Sequence, residues 1–240
     1  MSPASATEDV PAESAAIRLP LTRGRVLAAA IALVDEHGLE SLTMRALATR
    51  LDVEAMSLYN HVPNKQALYD GIRGLLWEEF GDALDRGLDT QATWQESLRT
   101  IARGLRTIAC RHPHAFPLIL SSSRLDEQML GTMARGLAML DTGGFEPGLA
   151  ARTLNAVVHY ALGYATMELS LRTASAIHMD GEGDLETIVR LTRNLPSDTP
   201  PELVRVARDC CACDLDVQFE FGLSALLAGL DPQCDTHTAA

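Results

Sequence analysis

Apolar residues in this chain recur at three- and four-residue steps, and no run of alternating β-branched residues interrupts them. In "RGRVLAAAIALVDEHG", Leu27, Ile31 and Val34 stand at i, i+4 and i+7, and Gly38 supplies a stop. "WQESLRTIARGLRTIACRH" places Leu98, Ile101, Leu105 and Ile108 on one face. "LAARTLNAVVHYALGYATMELSLRTA" is apolar on most sides, which suits a helix buried between others, from one subunit or two. Further helices are expected over "LDEQMLGTMARGLAML" and near residues 202–212 and 215–229. A side-chain period of 3.6 rather than 2 makes the fold class all-α.

The 240 residues, 47% of them apolar, suffice for a small module joined to a larger domain. Residues 1–16 have neither a basic start nor an apolar run, so a disordered tail is expected rather than a signal peptide. The module is expected over 17–77 and the larger domain over 78–240. No run approaches the roughly 18 uncharged apolar residues of a membrane span, so no membrane partner is expected and the cytoplasm is the default location. Residues 178–201, rich in Gly, Pro and polar side chains, read as a mobile loop.

The net charge of −12 disfavours nucleic acid at first sight. Its distribution matters more. Residues 17–77 hold seven bases and six acids, whereas 78–240 hold thirteen bases and twenty-three acids. Any DNA contact must come from the first segment, through few charges in good geometry. Five cysteines, an odd number in a chain read as cytosolic, argue against a disulfide framework. "CCACD" at 210–214 has no second cluster at metal-ligand spacing, so apolar filler is the reading and no metal or cofactor is assigned. No nucleophile–base constellation, P-loop, dinucleotide fingerprint or HExxH points to an enzyme.

The stretch "LTMRALATRLDVEAMSLYNHVPNKQAL" carries the most specific pattern. Thr43 is a good N-cap, and Leu42 and Leu47 take the staple positions around it. That helix ends near Leu51. "DVEA" turns into a second short helix, about Ala55 to His61. "VPN" breaks it, and Asn64 caps a longer helix from Lys65 to about Phe80, before a linker-like "DRGLDTQAT". Two short helices joined by a tight turn, behind a longer one, form a helix-turn-helix, whose second helix normally enters the major groove.

Thr43, Arg45, Leu47, Ala48, Leu51, Val53, Leu58, Tyr59, His61, Val62, Lys65 and Leu68 match, in order and spacing, the DNA-binding module of the tetracycline-repressor (TetR) family, which residues 21–77 resemble. Asp52 stands where that family usually has Gly, and Asp tolerates a left-handed turn better than most residues. The resemblance implies a three-helix, homeodomain-like helix-turn-helix module followed by a larger helical ligand-binding and dimerisation domain. It implies phosphate contacts from Tyr59 and Lys65, aided by the helix N-terminus at Lys65, and a backbone contact from Thr43, with Met44 beside it. Base reading would fall to Arg45, Ala55, Met56, Ser57 and Asn60; the types suit guanine for Arg45, thymine methyls for Ala55 and Met56, and adenine for Asn60. His61 is read either as a phosphate contact or as a packed surface residue. Leu47, Ala48, Leu51, Val53, Leu58 and Val62 are read as core, and Arg50 and Arg73 as solvated.

Spacing in the larger domain resembles the tetracycline-repressor branch, which dimerises through its long eighth helix and its last helix, here near 147–173 and 215–229. Repressors of that branch bind a drug–magnesium chelate. His112, in a short "RHP" match, falls where they keep a metal-binding histidine, but their aromatic- and His-rich stretch after the fourth helix is replaced by "GDALDRGLDTQAT". Trp94, His112, Phe116, Met133, Tyr160, Tyr164 and Glu168 are candidate ligand-pocket residues, each equally readable as core. Glu168 is singled out because a buried carboxylate needs a partner, from a ligand or a facing subunit. The implied partners are a palindromic double-stranded DNA operator, a small-molecule effector and a second copy of the chain. The competing readings are a binding protein that has lost sequence-specific DNA recognition, and an enzyme.

Overall fold

The computed structural model describes residues 20–88, 92–121, 127–178, 196, 198–210 and 214–230, without the side chains of 174–178 and 206–210. The amino-terminal tail, most of the 178–201 loop and the side chains of Cys210, Cys211, Cys213 and Cys234 lie outside the described residues. Every regular element among those described is helical.

Helix α1 (Arg23–His37) starts where the Thr22 hydroxyl accepts a hydrogen bond from the Arg25 amide. It stops at Gly38, whose φ of 81° a side chain would resist. A 3₁₀ turn (Leu39–Ser41) leads to α2 (Met44–Leu51), capped by Thr43, whose hydroxyl accepts from the Ala46 amide at 3.1 Å. Asp52 ends α2 in the left-handed region, φ 53° and ψ 52°, the conformation its place in the turn requires. Then comes α3 (Ala55–Leu58). It is shorter than the sequence suggests, because Tyr59 to His61 close as turns rather than as helix.

Helix α4 (Lys65–Gly87) is capped by Asn64, whose side-chain oxygen accepts from the Ala67 amide at 2.9 Å. It extends well past the expected end near Phe80. The reason is a row at four-residue steps: Leu68, Ile72, Leu76, Phe80 and Leu84 are all buried. Leu84 continues the row, and burying it favours helix into the segment that reads as a linker, as far as Gly87. The upper part of α4 packs on α1 and its lower part on later helices.

Helix α5 (Trp94–Arg111) opens with a capping box between Thr93 and Glu96, and its predicted apolar face, Leu98, Ile101, Leu105 and Ile108, is buried. A short α6 (Pro117–Leu120), unanticipated from sequence, starts at Pro117 in the first-turn position that proline favours. Helices α7 (Glu127–Thr142), α8 (Pro147–His178), α9 (Pro201–Cys210) and α10 (Leu215–Ala228) complete the described elements. The most extensive helix pair is α5 with α8.

A polar and aromatic lock joins α5, α8 and α10. Tyr160 and Tyr164 donate to the Phe219 and Leu215 carbonyls at 2.8 and 2.7 Å, so two α8 side chains are fixed by the backbone of α10. A Cβ at Gly222 would collide with the Tyr160 hydroxyl, so this close approach of α10 needs glycine. Glu168, 1% exposed, accepts from Arg106 at 2.6 and 3.1 Å and from Arg172 at 2.8 Å. Its partner therefore comes from the same chain, without a ligand or a facing subunit. Burial alone would raise the Glu168 carboxyl, but the two guanidiniums outweigh it and hold it below the usual carboxylate range. Arg106 also pairs with Asp216 at 2.6 Å and lies over the Phe219 ring, 4.9 Å from its centroid. Burial pushes the Tyr164 hydroxyl up to about 12, so it remains a donor throughout the physiological range.

Glu168→Gln should destabilise the protein by roughly 3 kcal/mol at pH 7, since one charge of a buried pair is left with a weaker partner. A depressed carboxyl stabilises fully above its unfolded value, about 4.3, and that contribution disappears as pH falls through the folded value. The difference in Tm between wild type and variant should thus be constant from pH 7 to about 5 and narrow below pH 4. A difference unchanged down to pH 3 would exclude the charge as its source.

Candidate nucleic-acid interface and ligand cavity

The module builds one polar face over an apolar interior. Leu47, Ala48, Leu58 and Val62 are buried, and Leu51 and Val53 pack against them half-buried. With these side chains turned inward, α2 and α3 display the others. Thr43, Arg45, Met56, Tyr59, Asn60 and Lys65 are exposed, Met56 at 75% and Tyr59 at 44%. The interior of the module gives no reason to expose a methionine and a tyrosine so close together around a four-residue helix; contact with a partner supplies one. Met44, Ala55, Ser57 and His61 are half-buried, with Met44 and Ala55 against the core. Between α2 and α3 runs an open concavity bordered by Arg45, Thr49, Asp52, Glu54, Ala55 and Ser57.

Lys65 sits at the first turn of α4 with its ammonium 5.4 Å from the centre of the Tyr69 ring. Arg50 is held by Glu36 through two hydrogen bonds of 2.6 Å, which pulls the Glu36 carboxyl down. Arg73 is only 6% exposed and pairs with Asp70 at 3.1 Å, so it is not the solvated side chain its position suggested. Both arginines are engaged within the module rather than offered to a phosphate.

A cavity of about 390 Å³ lies among α4, α5, α6, α7 and α8. Trp77, Phe80 and Leu84 of α4 form one wall; Ile101 and Leu105 of α5, Met129 and Met133 of α7, and Leu154, Val158 and Leu162 of α8 form others. The polar members are Thr132, Asn155 and His159. Of the seven pocket candidates from sequence, only Met133 is a wall residue here. Phe116 borders a shallower cleft between α6 and α8 that shares Leu120 with the cavity. Trp94 stacks edge-on against Phe145 at 5.0 Å. Tyr160, Tyr164 and Glu168 belong to the lock on α10. Asn155 and His159, one turn apart on apolar α8, were the legible signal for this cavity, and sequence reasoning passed over them.

His112 serves a different junction. Its Nδ1 is 2.7 Å from Asp35 of α1 and its Nε2 is 2.9 Å from Glu79 of α4. Each ring nitrogen faces a carboxylate oxygen. Arg111 pairs with Glu79, and the His114 Nδ1 is 3.1 Å from the Asp35 carbonyl. The end of α5 is thereby tied to both α1 and α4. Among the described residues, no group of three or more His, Cys, Asp or Glu side chains is arranged to hold a metal ion.

Residues 26–72 match the family model of bacterial regulatory proteins of the tetR family, and residues 87–234 match that of the tetracyclin repressor-like C-terminal domain. The chain belongs to the TetR family. It is 30% identical to the class D tetracycline repressor protein of Escherichia coli over 215 residues, 89% of this chain and 90% of that one. A possible TetR family regulator from Streptomyces coelicolor A3(2) superposes with a TM-score of 0.70 at 29% identity, covering 87% of this chain and 98% of the other. The Streptomyces coelicolor TetR family protein ActR, solved in complex with actinorhodin, gives 0.68 at 26% identity, covering 88% and 95%. Membership makes the protein a ligand-responsive DNA-binding transcriptional regulator rather than an enzyme, acting as a dimer. No helix among the described residues is long and apolar enough to cross a membrane.

Two outcomes test this TetR-family geometry. If Tyr59 and Lys65 hold phosphates, Tyr59→Phe with Lys65→Ala should weaken DNA binding and lower the slope of log affinity against log salt by about 1.8, one lysine–phosphate pair for each subunit of the dimer. Unchanged slope and affinity would remove both residues from the interface. His112→Ala should cost about 1.5–3 kcal/mol, the worth of charge-assisted hydrogen bonds, and raise amide exchange at the end of α1 before it does so in α8.

Proposed function

We propose that the ligand-free dimer represses transcription by binding a palindromic operator, and that a small molecule in the α4–α8 cavity releases it. One observation carries this reading: a single helix serves both sites. The first turn of α4 presents Lys65 beside the recognition helix, and its later turns place Trp77, Phe80 and Leu84 in the cavity wall. A ligand that shifts the wall shifts the DNA-facing end with it. In the operator complex, Thr43, Tyr59 and Lys65 hold phosphates, and Arg45, Ala55, Met56, Ser57 and Asn60 face the base edges, with Met44 and His61 flanking. Residues 17–77 act as the DNA-binding domain and 78–240 as the ligand-binding and dimerisation domain, in the cytoplasm. The ActR complex with actinorhodin supports a small organic effector in such a domain.

The dimer face is α8 with α10. Met167 on α8 and Val217 and Phe221 on α10 are 63%, 61% and 77% exposed in the single chain. A second copy covers them as a bundle of four helices. Two recognition helices then stand about 34–36 Å apart, one turn of duplex. A ligand coupling of about 1–3 kcal/mol would lower operator affinity some 5–150-fold.

Fluorescence anisotropy on DNA from upstream of the protein's own gene and its neighbours, at two salt concentrations with competitor DNA, tests the reading. Saturable nanomolar binding by two subunits per site is expected. Binding that is only weak and salt-driven on every fragment, followed by a random-sequence selection that enriches nothing, would sink it. Phe221→Glu should raise the dimer dissociation constant by roughly 30-fold or more, as for a central aromatic worth about 2 kcal/mol, and weaken operator binding in parallel.

A further inference from the structure

We infer that the effector has two parts: an apolar body in the α4–α8 cavity, and a neutral, sugar-like appendage whose hydroxyl groups donate to Thr166, Ser170 and Thr173 in the cleft between α6 and α8. This rests on the ligand-responsive reading above and specifies its chemistry.

The cleft continues the cavity. Leu120, 48% exposed at the end of α6, borders both. The cavity holds about 390 Å³ and the cleft about 460 Å³, each within the range of small-molecule sites, about 300–1,000 Å³. One polar row on α8 passes from the first to the second. Asn155 and His159 border the cavity, and Thr166, Ser170 and Thr173 border the cleft. Steps of four, seven, four and three residues keep all five on one side of the helix, and all five are exposed. From His159 to Thr173 the row covers about 21 Å, at about 1.5 Å per residue, so a ligand that touches both ends is elongated.

Hydrogen bonding in the cleft runs one way. The Thr166 hydroxyl donates to the Leu162 carbonyl at 2.8 Å, that of Ser170 to the Thr166 carbonyl at 2.9 Å, and that of Thr173 to the Leu169 carbonyl at 2.9 Å. A hydroxyl has a single hydrogen, so each of these side chains has only oxygen lone pairs left to offer a ligand. The other wall is Pro113, Phe116, Pro117 and Leu120. None of these side chains donates, and the prolines lack even a backbone N–H. Three acceptors about one turn apart, set against an apolar wall, match a group that is rich in donors yet has apolar faces. A sugar ring has both, with O–H groups at its rim and C–H groups on its faces. Among the described residues, no Asp, Glu, Lys, Arg or His borders the cleft, so its wall offers a charged group no partner.

Three probes share one body: 2-naphthyl β-D-glucopyranoside, its tetra-O-methyl ether, which keeps the ring but cannot donate, and 2-methoxynaphthalene, which lacks the sugar. Each is titrated by calorimetry into the full-length dimer. One net hydrogen bond is worth about 3- to 10-fold in affinity, so the glucoside should bind about 10-fold or more tightly than its ether, and more tightly than methoxynaphthalene. Thr166→Val, Ser170→Ala and Thr173→Val together remove the acceptors from three exposed positions. They should erase the preference for the glucoside over the ether and leave methoxynaphthalene binding unchanged. Ser170→Ala alone, a change that favours helix, should reduce that preference by about 3-fold or more, so the test does not depend on the triple variant folding. A glucoside that fails to bind, one that binds no better than its ether, or a preference untouched by either variant would each overturn the inference. Operator binding on the same preparation keeps the regulator reading separate. That reading falls if no DNA is bound, and it stands if methoxynaphthalene releases the operator while the sugar adds nothing.

Discussion

One row of side chains along α4 governs the rest of the structure. Leu68 and Ile72 close the core of the small module, and Phe80 and Leu84 close that of the larger domain, with Leu76 between. Four-residue spacing advances the row by about 40° per step, so over more than four turns it winds from the side of α4 that meets the module toward the side that meets the later helices. The two parts therefore share a helix instead of being joined by a linker. The chain forbids slack elsewhere on the same helix: a Cβ at Gly71 would run into Leu27 of α1, and one at Gly81 into the Arg135 guanidinium. Small residues at these points let α4 approach its neighbours on both sides.

Charge reinforces that seam at its margins. His112 and Arg111 bind the end of α5 to Asp35 and Glu79, while Arg135 reaches from α7 to Asp85. Buried pairing at Glu168 serves a different end. It holds α5, α8 and α10 in one register, so that Met167, Val217 and Phe221 remain on the outward side, where a second copy can cover them.

Local features were the legible ones. Thr43 and Asn64 cap the helices expected of them, and Asp52 takes the left-handed turn, because each depends on two or three neighbours along the chain. Helix ends fixed from afar were not legible: Leu84 extends α4 only because other helices bury it. Arg73 was misread for the same reason, since a charge run on a helix does not announce which member faces inward. His112 matched a short motif, yet its two carboxylate partners lie 77 and 33 residues away in sequence. Cavity walls are the hardest case. Phe80, Met129 and Leu162 have the spacing of core residues, and only the third dimension shows that they surround space instead of filling it.

Under the proposed function, the length of α4 turns that space into a means of control. From Phe80 at the cavity to Lys65, on the face proposed to meet DNA, is about 22 Å of helix, at about 1.5 Å per residue. A tilt of only about 5° about the cavity end displaces Lys65 by about 2 Å, the scale on which charge-assisted hydrogen bonds to phosphate are broken. In a dimer the two displacements add, or subtract, in the spacing between recognition helices, whereas the duplex holds its half-sites at a fixed separation. Filling the cavity need not unfold or disorder anything. It needs only to favour one packing of α4 against α5, α7 and α8 over another, and a tightly packed seam makes those packings discrete.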